Sequence, residues 1–159
     1  RSEGHRLAAT SFAAMQGHMS LPAVGRIDKH FGDDDGTGGV MQGDMLITQS
    51  GAIVTAPTDG IVLYAGPFRS YGQLLILDAG DGYHVVLAGM DRISVSLGQS
   101  VLAGEPVGLM GETRVASAGA FGGESDGPDL YVEFRKDGKP IDPSPWWMER
   151  VSGRTGNDS

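Results

Sequence analysis

The segment "GPDLYVEFRKDGKPIDPSPWW" at 127–147 places Asp129 and Tyr131 two residues apart in an alternating apolar and polar run. In an extended strand that spacing puts both side chains on one face, an arrangement that can offer two ligands to a metal ion. Neither is a histidine. Glu133 and Arg135 follow at the same spacing and share that face. In "MQGDM" at 41–45, alternation would point Asp44 to the opposite face of a strand from Met45. The four histidines, His5, His18, His30 and His84, are scattered, and they read as surface or capping residues rather than ligands. "DDDGTGGVMQGD" at 33–44 sets Asp33, Asp35, Thr37 and Gly38 in places that echo a calcium loop. It lacks the closing bidentate glutamate and the flanking helices, so it reads as a solvated acidic turn. No metal or cofactor is expected from these donors.

The elements that must position these residues are mostly strands. From Gly25 to Trp147 short β-branched runs alternate with glycine, an all-β pattern. The expected strands are 52–57, 60–66, 73–79, 83–90, 100–110 and 129–141. Asp81-Gly82 and Asp137-Gly138 are expected hairpin turns, because a type I′ turn needs positive φ at both central residues, and Asp59-Gly60 is a third candidate. Ahead of the strands, Ala8, Phe12, Met15 and Met19 recur at spacings of four, three and four, one face of a short helix ended by Leu21-Pro22. That helix either docks on the domain or is the stub of a longer one. Gly111 to Pro128 is small, polar and glycine-rich and is expected to form a mobile loop at the rim of the site. The domain is bounded at 23–148, with 1–22 as helix and linker and 149–159 as a flexible tail.

A chain of 159 residues, 40% of them hydrophobic, suits a single domain. Twenty acidic residues against twelve basic ones give a net charge of -8, which disfavours nucleic acid or an anionic membrane as the main partner and favours a neutral or locally basic one. With no cysteine there is no disulfide, thiolate zinc site or cysteine nucleophile. No apolar run is long enough to span a bilayer, and the start at Arg1, without methionine or an apolar leader, reads as a fragment or processed form.

Read together, "TAPTDGIVLYAG", "YGQLLILDAGDGYHVVLAGM", "VSLGQSVLAGEPVGLMG" and "GPDLYVEFRKDGKPIDPSPWW" resemble the LytM-type, lysostaphin-like zinc metallopeptidases over about residues 39–147. The resemblance implies a mainly β, antiparallel sandwich with an open groove. It also implies zinc held by the His and Asp of H-x-G-x-D and the second His of H-L-H, with water in the fourth position. In this chain Met41 and Met45 stand at the first two ligand positions and Tyr131 at the third. Asp129 stands at the neighbouring His, and Gly89 at another active-site His. Thioethers and a neutral phenol do not replace imidazole and carboxylate around zinc.

A LytM domain without its ligands resembles most the EnvC-type murein hydrolase activators, also through "HFGDDDGTGGVMQGDML" and "SYGQLLIL". That resemblance implies a catalytically inactive, zinc-free domain of the Gram-negative periplasm. Such a domain activates zinc-dependent N-acetylmuramoyl-L-alanine amidases in cell division and daughter-cell separation, and divisome proteins or peptidoglycan are further partners to consider. It further implies a coiled coil ahead of the domain, of which residues 3–19 would be the end. The expected partner groove comprises Met41, Met45, Tyr71, Leu74, Leu87, Asp129, Tyr131 and Arg135. Met41 and Met45 fit equally as core filler. Tyr71 is also readable as a loop anchor, and Arg135 as a solvated strand charge. The alternative function is a peptidoglycan-binding or divisome scaffold, to which the paired tryptophans of "PSPWW" would add a stacking surface. Burial of one of them is the default.

Overall fold

A computed structural model describes residues 11–112 and 127–148. Eleven strands form two antiparallel sheets: β1 (Gly25–Lys29), β2 (Asp44–Thr48), β3 (Ile53–Thr55), β4 (Gly60–Pro67), β5 (Gln73–Gly80), β6 (Tyr83–Met90), β7 (Arg92–Ile93), β8 (Ser100–Val101), β9 (Pro106–Leu109), β10 (Asp129–Lys136) and β11 (Lys139–Ile141). The larger sheet runs β1-β2-β10-β6-β5-β4-β8, with β11 on β10 beyond the end of β2, and the smaller runs β3-β9-β7. Leu46, Leu75, Leu77, Val85, Leu87, Leu130, Val132 and Phe134 of the large sheet meet Val54 and Val107 of the small one in the core. Each lies on the inward parity of its strand, the outcome that period-two alternation dictates for a sheet covered on one face.

The mainly β architecture stands, with three corrections in detail. The expected strand 100–110 is two strands in different sheets, because Leu102 to Glu105 turn back on themselves, Glu105 N–H donating to the Leu102 carbonyl. Three strands escaped the sequence reading: β1, β2 and β7. Asp81-Gly82 and Asp137-Gly138 do turn hairpins, with φ of 53° and 83° and of 51° and 83°. Asp59-Gly60 does not: neither residue is among those with positive φ, and β3 and β4 belong to different sheets.

The N-terminal helix is also corrected. Among residues 11–19 there is a single 3-10 turn, Ala13–Met15, and Gly17 at φ 85° interrupts it; residues 3–10 of the expected helix lie outside the described residues. A short segment gains little from helix formation alone. This one is held instead by burying Phe12 and Met19. The Phe12 ring lies 4.7 Å from Tyr83, 5.1 Å from Phe134 and 5.1 Å from Trp146, and its carbonyl accepts the Trp146 indole N–H at 2.7 Å. Trp146 is therefore the buried member of the tryptophan pair. The expected loop at 111–128 falls, over 113–126, outside the described residues, as does the tail 149–159.

Candidate functional site

The outer face of the large sheet carries rows of side chains set by strand register. In the first row Met45 on β2 pairs with Tyr131 on β10, Tyr131 with Ala88 on β6, and Ala88 with Leu74 on β5. In the second, Glu133 pairs with Val86 and Val86 with Ile76; in the third, Arg135 pairs with His84 and His84 with Asp78. The floor thus changes from apolar to polar along the strands. Asp44, one residue from Met45, faces the other way and is fully buried, as alternation requires. Its side-chain oxygens accept the Phe31 backbone N–H at 2.8 Å and the Trp147 indole N–H at 2.9 Å, the partners a buried polar group needs.

Two loops wall this floor into a cavity of about 430 Å³, within the range of roughly 300–1,000 Å³ typical of ligand clefts. The first joins β1 to β2 and folds back as a small hairpin, Gly32 N–H donating to the Met41 carbonyl and Met41 N–H to that of Asp33. It places Asp35, Val40, Met41 and Gln42 on one wall. The second, between β4 and β5, is braced by the Tyr64 hydroxyl, which donates to the Pro67 carbonyl at 2.6 Å. It places Phe68 and Tyr71 on the other wall, stacked with centroids 6.1 Å apart.

The sequence-derived groove is largely assembled: Met41, Met45, Tyr71, Leu74 and Tyr131 all line the cavity. Leu87 does not. It pairs with Val132 and Leu75 on the inward parity and is fully buried, and its neighbours Val86 and Ala88 line the cavity in its place. Asp129 heads β10 outside the cavity lining, paired with Ile47 and still exposed at its surface; partial desolvation first, then the charge of Asp28, raises its carboxyl above the usual range. Arg135 also lies outside the lining. Its guanidinium donates to Glu133 and to the Gly138 carbonyl, so two of its donors are committed within the hairpin. Asp35, Val40, Phe68 and Glu133 are lining residues that sequence reasoning missed. Phe68, beside Tyr71, and Glu133, two residues after Tyr131, were within reach of the same spacing arguments.

Tyr131 ties the floor together. Its hydroxyl donates to Glu133 Oε1 at 2.6 Å, and Glu133 Oε2 accepts from Arg135. Burial, then the bond to Glu133 and that residue's charge, push the phenol above its ordinary value. Tyr131 is a held proton donor, not a phenolate. The donors at the positions assigned to zinc ligands therefore do not fit the ion: two thioethers and a protonated phenol. An ideal Cβ at Gly89 would lie 2.5 Å from the Asp129 carbonyl at a φ of 114°, so the backbone there is drawn in too close for any side chain. Among the described residues, no group of three or more His, Cys, Asp or Glu side chains could hold a metal ion.

The strand order and the groove define a mainly β, antiparallel domain whose cleft floor carries a thioether and a protonated phenol. Comparison with known proteins agrees: Peptidase family M23 matches residues 39–143, and the chain belongs to that family. It is 29% identical over 143 residues to the murein hydrolase activator NlpD of Salmonella dublin, covering 89% of this chain and 34% of that protein. It is 30% identical over 105 residues to the murein hydrolase activator EnvC of Escherichia coli, covering 66% and 23%. The chain spans about a fifth to two fifths of the length of the curated relatives it matches. The catalytic domain of the antimicrobial peptidase lysostaphin from Staphylococcus simulans shares the fold at a TM-score of 0.61 and 22% identity, over 77% of this chain and 91% of that one. No helix among the described residues is long and apolar enough to cross a membrane.

Proposed function

We propose that this domain is a non-catalytic activator of a zinc-dependent N-acetylmuramoyl-L-alanine amidase, acting in the periplasm during cell separation and binding the enzyme through the groove. The observation that carries the reading is the groove itself: Met45 and Tyr131 on the floor and Met41 on the wall, the positions that the family resemblance assigns to zinc ligands, line a largely apolar cleft. Its homologues include proteins named murein hydrolase activators. The domain contributes binding and no bond-breaking chemistry. Activation then follows from tighter binding to the open amidase than to the closed one. Tyr131, Tyr71 and Met45 supply contact area, and Arg135 keeps Glu133 and Tyr131 in place.

The test uses dye-labelled murein sacculi with the domain alone, a cognate amidase alone, and both. Dye release only by the mixture is the expected result, and Tyr131→Ala and Arg135→Glu lose that stimulation while retaining the native circular dichroism spectrum. Dye release by the domain alone overturns the reading, as does full stimulation by both folded variants. A second reading, a peptidoglycan-binding or divisome scaffold, is favoured by the exposed Phe68–Tyr71 stack, since flat aromatic faces suit sugar rings. Co-sedimentation with sacculi that Tyr71→Ala abolishes, without amidase stimulation, would put that reading first.

A further inference from the structure

The polar groups of the groove are not equivalent. On the floor, the Tyr131 hydroxyl, the Glu133 carboxylate and the Arg135 guanidinium satisfy one another, so the Met45–Tyr131 row asks only for apolar contact. The charged side chains lining the cavity are Glu133 and Asp35, both acidic. Glu133 is neutralised by Arg135. Asp35 has no ion pair among the described residues, and the charge of Lys29 is the smallest of the influences on it.

The Asp35 carboxylate is nonetheless fixed. Its Oδ1 accepts the Thr37 N–H and the Thr37 hydroxyl at 2.8 Å each and the Gly39 N–H at 3.1 Å, while Oδ2 takes none of these. Those bonds, Thr37's foremost, hold its carboxyl below the usual range, so it is anionic at neutral pH. A fixed anion beside an apolar floor is left uncompensated by a neutral occupant and repels an acidic one. The chain's net charge of -8 adds long-range attraction for a cation.

We propose that the groove accepts a basic amphipathic peptide segment, its apolar side chains on the row of Met45, Tyr131 and Ala88 and a lysine or arginine of the partner against Asp35. This specifies the partner chemistry of the groove and rests on the reading that the groove is a protein-docking surface.

The test contains no amidase, so it can fail or succeed independently of the activator reading. Three synthetic peptides of about 18 residues, long enough to form a helix, share one leucine and alanine face and carry lysine, glutamine or glutamate at the polar positions. Each is titrated into the domain by calorimetry, and the contact is mapped by amide chemical shifts. The lysine peptide is expected to bind with shifts on β2, β6 and β10 and to weaken as salt rises. Asp35→Asn, which keeps the Oδ1 acceptor of the loop and removes the charge, is expected to weaken it about tenfold, the size of a modest charge contact, and to leave the glutamine peptide unchanged. Equal binding of the glutamine or glutamate peptide, no effect of Asp35→Asn, or shifts away from these strands overturns the proposal.

Discussion

Trp147 donates its indole N–H to Asp44 across 2.9 Å, joining the C-terminal aromatic segment to the strand that presents Met45 to the groove. Trp147 is also the bridge partner of Met19, so the N-terminal segment, the closing aromatic segment and the groove strand meet at one place. Asp44 is fully buried, and its stability rests on its two donors, Phe31 N–H and Trp147 Nε1.

Trp147→Phe keeps an aromatic ring and removes one of those donors. It is expected to cost about 1–3 kcal/mol, the penalty for a buried polar group that loses a partner, read as a lower urea midpoint with unchanged slope. In an Asp44→Ala background the same change should cost clearly less. Equal costs in both backgrounds would show that ring packing, not the hydrogen bond, is what the indole contributes.

Gly89→Ala is expected to destabilise far more than Gly138→Ala. Both residues have positive φ, 114° and 83°, but a Cβ at Gly138 meets open space while one at Gly89 meets the Asp129 carbonyl at 2.5 Å. Gly138→Ala should cost about 1–2 kcal/mol, the left-handed backbone penalty. Gly89→Ala should exceed it and shift the amide resonances of Asp129 and Leu130. Similar thermal midpoints for the two variants would contradict the close approach.

The raised carboxyl of Asp129 gives a pH dependence of definite sign. A carboxyl whose folded pKa lies above its unfolded value binds its proton more tightly when folded, so the native state is penalised once pH rises through that value. Asp129→Asn removes a group that burial and Asp28 make costly to ionise. It is therefore expected to raise the thermal midpoint at pH 7 relative to the parent, with the gain disappearing below the ordinary value of 3.8. A gain that persists or grows in acid would assign the effect to something other than ionisation.

Much of the site was legible because strand periodicity is local. The alternation of Asp129, Tyr131, Glu133 and Arg135 against Leu130, Val132 and Phe134 fixes which residues of β10 share a face, and the Asp-Gly pairs fix two hairpins. The same logic correctly turned Asp44 away from the groove. Leu87 was misplaced because "HVVLAGM" is apolar on both parities. A strand apolar on both faces does not announce which side is which, and a one-residue error exchanges every side chain.

The sequence by itself determined the strand-rich class, because local spacing carries it, and the family resemblance, which in turn implies the substituted ligand positions at Met41, Met45 and Tyr131. Only the tertiary structure decided that Tyr131 is locked to Glu133 and Arg135, that Asp35 and Phe68 line one cavity from two different loops, and that Phe12 is buried in the core. The physical reason is that register, loop approach and burial of a distant segment are set by contacts between residues far apart in the chain, which no local pattern encodes.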